Sequence, residues 1–336
     1  MSQVGLVFTP RSPAQVAETI RAMEARGFTF AGLLDTPSRS MDVYVALAIA
    51  AANSTHIRIG PCVTNPTTRD IAVTAAAISS VNLLAPSRTY IGISKGFSGT
   101  AAVGVATSKT SALAEIVPQL RALIAGRPVE AGGRSIQVHW SHSPVPIYLA
   151  ASGPMALRIG GRFADGVIVH MGHLPEVVND AFGHVAEGAL AAGRSVDELD
   201  LWLYGAGACG SDGEAARESV KGAIAGMAAS VFSPNTRGKR VPPPLEDAVA
   251  QLRADYAIDQ HMQPGIVTNE QLIDRLGLSN YLLERFAFAG TPKEIREKKS
   301  RLDALGVHKF LLNISMSKSP AETVRALADA LEPAAA

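Results

Sequence analysis

A chain of 336 residues, 47% of them hydrophobic, has enough apolar material for one large core or two smaller ones. Lys and Arg (31) nearly balance Asp and Glu (30), and the net charge of +1 argues against a protein held to nucleic acid or to a membrane surface by bulk charge. Two distant cysteines, Cys62 and Cys209, argue against a disulfide scaffold or a paired-cysteine zinc site.

The start MSQVGLVFTPRS lacks the charged lead and long apolar core of a signal peptide, and no apolar run approaches the ~20 residues of a membrane span. A cytoplasmic protein with reduced thiols is the expectation.

In chain order, short β-rich runs alternate with Ala-rich helical ones. Val4–Thr9 reads as a strand, followed by a helix with Ser12 as N-cap, Pro13 in its first turn and Gly27 closing it. Phe28–Leu34 is a second strand and Met41–Asn53 a helix. His56–Ile59 is a third strand, and Asp70 opens a helix over Ile71–Leu84. Thr89–Ser94 is a fourth strand, with a helix over Thr110–Ala125 and a hairpin around Pro128–Val138. Strands at Pro146–Ala150, Gly166–His170 and Leu199–Tyr204 follow, with helices at Pro154–Arg162, Pro175–Ala192 and, opened by Asp212, Gly213–Ser230. Helix Pro292–Leu305, strand Lys309–Ile314 and helix Pro320–Leu331 complete the chain.

These are eight strand–helix units, and the strands are continuously apolar rather than alternating. That pattern predicts an α/β fold with a parallel sheet covered on both faces, closed as a TIM (β/α)8 barrel in one domain over residues 1–336. Residues 232–288 break the rhythm as an insertion between strands seven and eight. Their apolar content needs burial, so a lid or substrate-enclosing segment is expected there, with a dimerisation arm as the alternative.

In such a barrel the chemistry lies where strands end. That rule selects Asp35 after strand two, Cys62-Val63-Thr64-Asn65 after strand three and Ser94-Lys95 after strand four. It also selects Ala151-Ser152-Gly153-Pro154 after strand five and His170-Met171-Gly172-His173 after strand six. Small residues and Ser152 at a helix start suit either an anion site or an ordinary N-cap. Asp35 is an acid–base candidate or a loop cap, and His170 and His173 join it as catalytic candidates by position. Histidines three apart on a loop fix no ligation geometry, and no HExxH helix occurs, so no metal site is expected. No GxSxG elbow supports a serine hydrolase.

The runs MDVYVALAIAAANSTHIRIGPCVTNPTTRDIAVTAAAISSVNLL, PIYLAASGPMALRIGGRFADGVIVHMG and GTPKEIREKKSRLDALGVHKFLL resemble the bacterial luciferase-like superfamily. Within it they are most similar to the methylenetetrahydromethanopterin reductase-like branch. The resemblance implies a barrel that binds FMN or the deazaflavin coenzyme F420 at its mouth. It places Cys62-Val63-Thr64-Asn65 beneath the ring, with a non-prolyl cis peptide in a bulge, and the cofactor phosphate at Ala151-Ser152-Gly153-Pro154. It also implies a homodimer. After strands two and four, Asp35-Thr36-Pro37 and SKGFSG depart from the family's usual histidine and acidic pair, so no substrate carries over.

The leading expectation is a flavin-dependent monooxygenase using reduced FMN and O₂ on a small organic substrate, with a separate flavin reductase as a possible partner. The alternative is hydride transfer with F420, whose polyglutamate tail would favour Lys95, Arg39 and Lys239-Arg240 near the mouth. A cofactor-free binding barrel is a third reading.

Overall fold

Eleven strands run through the computed structural model, which describes residues 3–131, 133–263 and 265–331. The outermost residues of the expected 1–336 domain, one residue of the predicted hairpin and Pro264 of the insertion lie outside the described residues. The strands are β1 (Gln3–Phe8), β2 (Phe30–Leu33), β3 (Arg58–Pro61), β4 (Ile91–Ile93), β5 (Val129–Ala131), β6 (Arg134–Ile136), β7 (Ile147–Ala151), β8 (Gly166–Val169), β9 (Asp200–Cys209), β10 (Ala287–Gly290) and β11 (Lys309–Asn313).

Eight of them pair in parallel in the order β3-β2-β1-β11-β9-β8-β7-β4, and helices alternate with them along the chain. Two further parallel bridges, Ile59 to Thr89 and Thr64 to Ile93, join the end strands, so the sheet is a nearly closed TIM barrel. The short pair β5–β6 is the predicted antiparallel hairpin.

Local signals explain the helices. Ser12 accepts from the Gln15 amide, Asp42 from Tyr44 and Val45, and Asp70 from Ala72, each supplying an N-terminal partner the helix lacks. Helix Pro292–Asp303 starts with a reciprocal capping box between Thr291 and Glu294.

Three details differ from the sequence reading. The helix expected over Gly213–Ser230 is two helices, Gly213–Ser219 and Lys221–Phe232. The seventh barrel strand runs on to Cys209 rather than stopping at Tyr204. The insertion ends in a strand that the sequence reading does not assign, β10, which pairs with the protruding half of β9.

Two apolar layers hold the barrel. Outside it, Leu6, Phe8, Leu33 and Ile59 pack on helix residues such as Ile20, Leu47 and Ile78. Inside, Phe30, Tyr90, Tyr148 and Trp202 fill the lumen, with Phe30 centred 4.2 Å from Tyr90 and 4.5 Å from Trp202.

The N-terminal end of the lumen closes on a polar cluster. Asp200 accepts from the Tyr148 hydroxyl at 2.6 Å, Lys309 at 2.7 Å and Arg58 at 3.2 Å. Burial pushes the Asp200 carboxyl up, but the bonds from Lys309 and Tyr148 outweigh it and hold it below its ordinary value. A carboxylate depressed in this way stabilises the fold above its unfolded-state pKa of ~3.9 and loses that contribution as pH falls through the folded value. Asp200→Asn is therefore expected to cost about 2–4 kcal/mol in urea melts at pH 7. The gap should close as the pH drops below ~4; a gap independent of pH would contradict this account.

Candidate active site

At the opposite end, where the parallel strands finish, a cavity of about 1150 Å³ opens. That exceeds the ~300–1,000 Å³ usual for a single small ligand. Its walls come from the ends of β1, β2, β3, β4, β7, β8 and β11, from Tyr204 midway along β9, and from the insertion with the helix before it.

The β3–β4 seam builds one wall. From Ile59 to Thr64 there are five residue steps, but the facing run from Thr89 to Ile93 has four, so β3 carries one extra residue as a bulge. Thr64 N donates to Gly92 O at 2.9 Å, Ser94 N to Thr64 O at 3.0 Å, and Cys62 N back to Leu33 O at 2.8 Å. The Cys62–Val63 peptide inside the bulge is cis. Neighbouring strands leave room: a Cβ on Gly92 would meet the Pro61 carbonyl at 2.5 Å, and one on Gly32 the Cys62 Cβ at 2.5 Å. Cys62, Val63 and Asn65 consequently face the cavity, whereas Thr64 is buried behind them.

Thr64 still acts at the site, because its hydroxyl donates to Asp35 Oδ2 at 2.7 Å. Asp35 is the sole carboxylate among the described lining residues. Burial pushes its carboxyl up, against the opposing effects of the Thr64 bond and of Arg69.

Across the cavity, β7 runs into helix Pro154–Phe163. Gly153 rather than Ser152 is the helix N-cap, and no side chain caps the helix start. Ser152, Gly153, Pro154, Met155 and Ala156 all line the cavity, which leaves the helix's first amides to a ligand. Lys239 reaches the same place from the insertion; a Cβ on Gly153 would touch its Cε at 3.5 Å. Lys95 and Arg237 also line the cavity, and among the described residues none of these three cations has a carboxylate partner. Burial first, then the nearby Lys95, lowers Lys239 to about 8. An uncapped helix start facing unpaired cations fits a phosphate.

The candidate histidines part company. His170 lines the cavity with its ring edge on Tyr204 (4.9 Å) and its Nε2 unpartnered. Burial, then Lys239, lowers it to about 4, so it is neutral at physiological pH. His173 is not in the cavity wall: Gly172, at φ +115°, turns the chain between them, and the His173 ring packs on Phe288 with Nε2 3.1 Å from Tyr204 O. Ala151, Met171 and Gly172 likewise stand behind the wall, and the Arg240 side chain turns away to pair with Asp180.

Sequence reasoning overlooked Tyr204, whose hydroxyl accepts from Asn313 at 2.7 Å, although it closes the predicted strand Leu199–Tyr204, and it overlooked His261, because nothing near it in the insertion marks a site. His261 packs edge-on to Phe97 and bonds the Tyr256 hydroxyl at 2.7 Å through Nδ1. Its segment is strapped down by Arg39, which donates to the carbonyls of Ile258 (2.9 Å), Asp259 (2.7 Å) and His261.

With that geometry in hand, three comparisons are informative. The family model described as luciferase-like monooxygenase matches residues 3–309. A 5,10-methylenetetrahydromethanopterin reductase of Methanolobus tindarius is 27% identical over 315 residues, 90% of this chain and 91% of the relative. The structure of the coenzyme F420-dependent tetrahydromethanopterin reductase from Methanopyrus kandleri superposes with a TM-score of 0.78 over 97% of both chains at 21% identity, a likeness of fold.

Two outcomes follow from the site's geometry. Asp35→Asn removes a carboxylate that burial disfavours, so it should raise the melting temperature at pH 7, with the difference fading below about pH 4, where Asp35 is protonated in both states. A less stable variant at pH 7 would refute the raised pKa. Arg39→Ala should speed amide hydrogen exchange across residues 257–263 while leaving the barrel strands unchanged; unchanged exchange there would show that Arg39 does not fasten the segment.

Proposed function

The chain belongs to the luciferase-like monooxygenase family, and on that premise we propose that it is a hydride-transfer oxidoreductase dependent on the deazaflavin coenzyme F420. One observation carries this reading: Arg11, Arg39, Lys95, Arg237 and Lys239, none with a carboxylate partner among the described residues, line a cavity whose described wall holds a single carboxylate, Asp35, while Arg158 in the same wall is paired with Glu187. One phosphate, all that FMN brings, asks for far less positive charge than a phosphate followed by a polyglutamate tail. The sequence by itself points to reduced FMN with O₂; the cavity's charge supports the deazaflavin instead. The names of the relatives agree: besides the methanopterin reductase, an F420-dependent glucose-6-phosphate dehydrogenase of Nocardia farcinica is 34% identical over 175 residues, 47% of this chain and 51% of the relative.

When bound, the deazaflavin supplies or accepts a hydride and makes no use of O₂. The chain's own residues do the rest. The bulge at Cys62-Val63 offers a backbone shelf for the ring, and the amides at the start of helix Pro154–Phe163 receive the phosphate. Asp35 holds or takes the proton that must accompany the hydride, at Oδ1, because Oδ2 is fixed by Thr64. Neutral His170 provides an unpaired Nε2 for a hydrogen bond to ligand. The insertion, held by Arg39, excludes water from this space. On this reading a partner flavin reductase is not needed.

Titration of the purified protein with oxidised F420 and with FMN tests the proposal. F420 is expected to bind at least tenfold more tightly, with an affinity that weakens as salt rises through ~0.1–0.5 M. Tight FMN binding with no response to F420 would overturn it.

A further inference from the structure

Among the described residues Arg285 is the largest charged side chain sealed inside the protein, at 0% exposure, and no carboxylate among them bonds to it. A buried cation without a counter-ion is costly unless its donors are all placed. Here the fork is spent on main chain: Nε donates to Met171 O at 3.0 Å, one terminal nitrogen to Lys239 O at 2.6 Å, and the other to Arg240 O at 3.1 Å and the Tyr281 hydroxyl at 2.5 Å. The rings of Phe232 and Phe286 flank it at 5.1 and 5.4 Å. Its stem runs over Gly172, where a Cβ would sit 2.5 Å from Arg285 Cγ.

Two of those acceptors are consecutive carbonyls of the insertion, and Arg240 between them adopts φ +49°, a left-handed conformation unusual for a residue other than glycine. Fixing both carbonyls fixes the peptide planes on either side of Arg240; the Lys239 amide, which donates to Thr236 O at 3.0 Å, holds the plane before Lys239, and together these set the direction in which Lys239 leaves the backbone. The Lys239 side chain, 5% exposed, runs inward to the end of helix Lys221–Phe232. There Nζ donates to Val231 O and, at 3.1 Å, to Ser233 O, acceptors that favour a cation at a helix C-terminus. This leaves an ammonium between the C-terminal end of one helix and the N-terminal start of another at Gly153.

The geometry points to Arg285 as a positioning residue that never touches the ligand: through the carbonyls of Lys239 and Arg240 it aims the Lys239 ammonium at the anion seat beside Gly153, where that ammonium binds the cofactor's phosphate. This deepens the functional reading above and rests on its phosphate placement. Lysine at 285 cannot replace the fork, because a point charge does not reach three carbonyls and a hydroxyl from fixed directions.

The test is fluorescence titration of wild type, Lys239→Met, Arg285→Met, Arg285→Lys and Tyr281→Phe with two probes. One is oxidised F420; the other is the ribityl deazaflavin that lacks the phosphate and everything beyond it. Lys239→Met is expected to weaken F420 at least tenfold and the phosphate-free probe less than twofold. Arg285→Met should give the same phosphate-selective loss, Arg285→Lys should recover little of it, and adding Lys239→Met to Arg285→Met should cost little more. Tyr281→Phe, which keeps the guanidinium and removes one acceptor, guards against a misfolded Arg285 variant and should show a smaller loss of the same selectivity. Equal losses for both probes, no loss, or additive losses would overturn the positioning role while leaving the cofactor reading intact. Wild type that binds the phosphate-free probe as tightly as F420 would overturn the phosphate placement itself.

Discussion

A ring of eight parallel strands must close, and in this chain the closure between β3 and β4 is made by only two bridges on either side of a one-residue bulge. That mismatch shapes the rest of the site. It takes Cys62 and Val63 out of the ladder and into the cavity, and it demands glycine at positions 32 and 92, where any side chain would strike the bulged backbone or Cys62. It also turns Thr64 inward, where its hydroxyl sets one oxygen of Asp35. The seam, the cavity wall at Cys62-Val63 and Asp35 are one local structure.

The two ends of the barrel handle charge in opposite ways. At the N-terminal end Asp200 is met by Lys309, Arg58 and the Tyr148 hydroxyl, and the cluster is complete within the protein. At the C-terminal end Lys95, Arg237 and Lys239 face the cavity with no carboxylate partner among the described residues, next to a helix start without a cap. Groups left incomplete in this way cost stability and are the usual mark of a place reserved for a ligand. The buried guanidinium of Arg285 belongs to the same economy, since it spends its donors holding the loop that carries Lys239.

Much of this was legible in the sequence because it is local. Asp70 and the apolar run behind it define helix Ile71–Leu84 to the residue, and continuous apolar strands separated by helices require a covered parallel sheet. The bulge that follows β3 was implied by the family resemblance at Cys62-Val63-Thr64-Asn65 rather than by local pattern. What was not legible depends on partners distant in sequence. Strand β10 exists because β9 is ten residues long and outruns its barrel neighbours, a length that no feature of Leu282–Gly290 reveals. His170 and His173 look equivalent until the turn at Gly172 sends one to the cavity and the other into the core. The sequence at Cys62-Val63-Thr64-Asn65 and Ala151-Ser152-Gly153-Pro154 does not separate FMN from the deazaflavin; the positive charge on which the proposed function rests emerges only when residues from 11 to 239 are brought around one cavity.

The most direct measurement is a crystal structure of the protein with oxidised F420. The account predicts the ring lying against the Cys62-Val63 backbone, the phosphate on the first amides of helix Pro154–Phe163 beside Lys239, and the tail running out along the basic wall. A ring bound away from the bulge, or a phosphate held elsewhere than at Gly153 and Lys239, would contradict it.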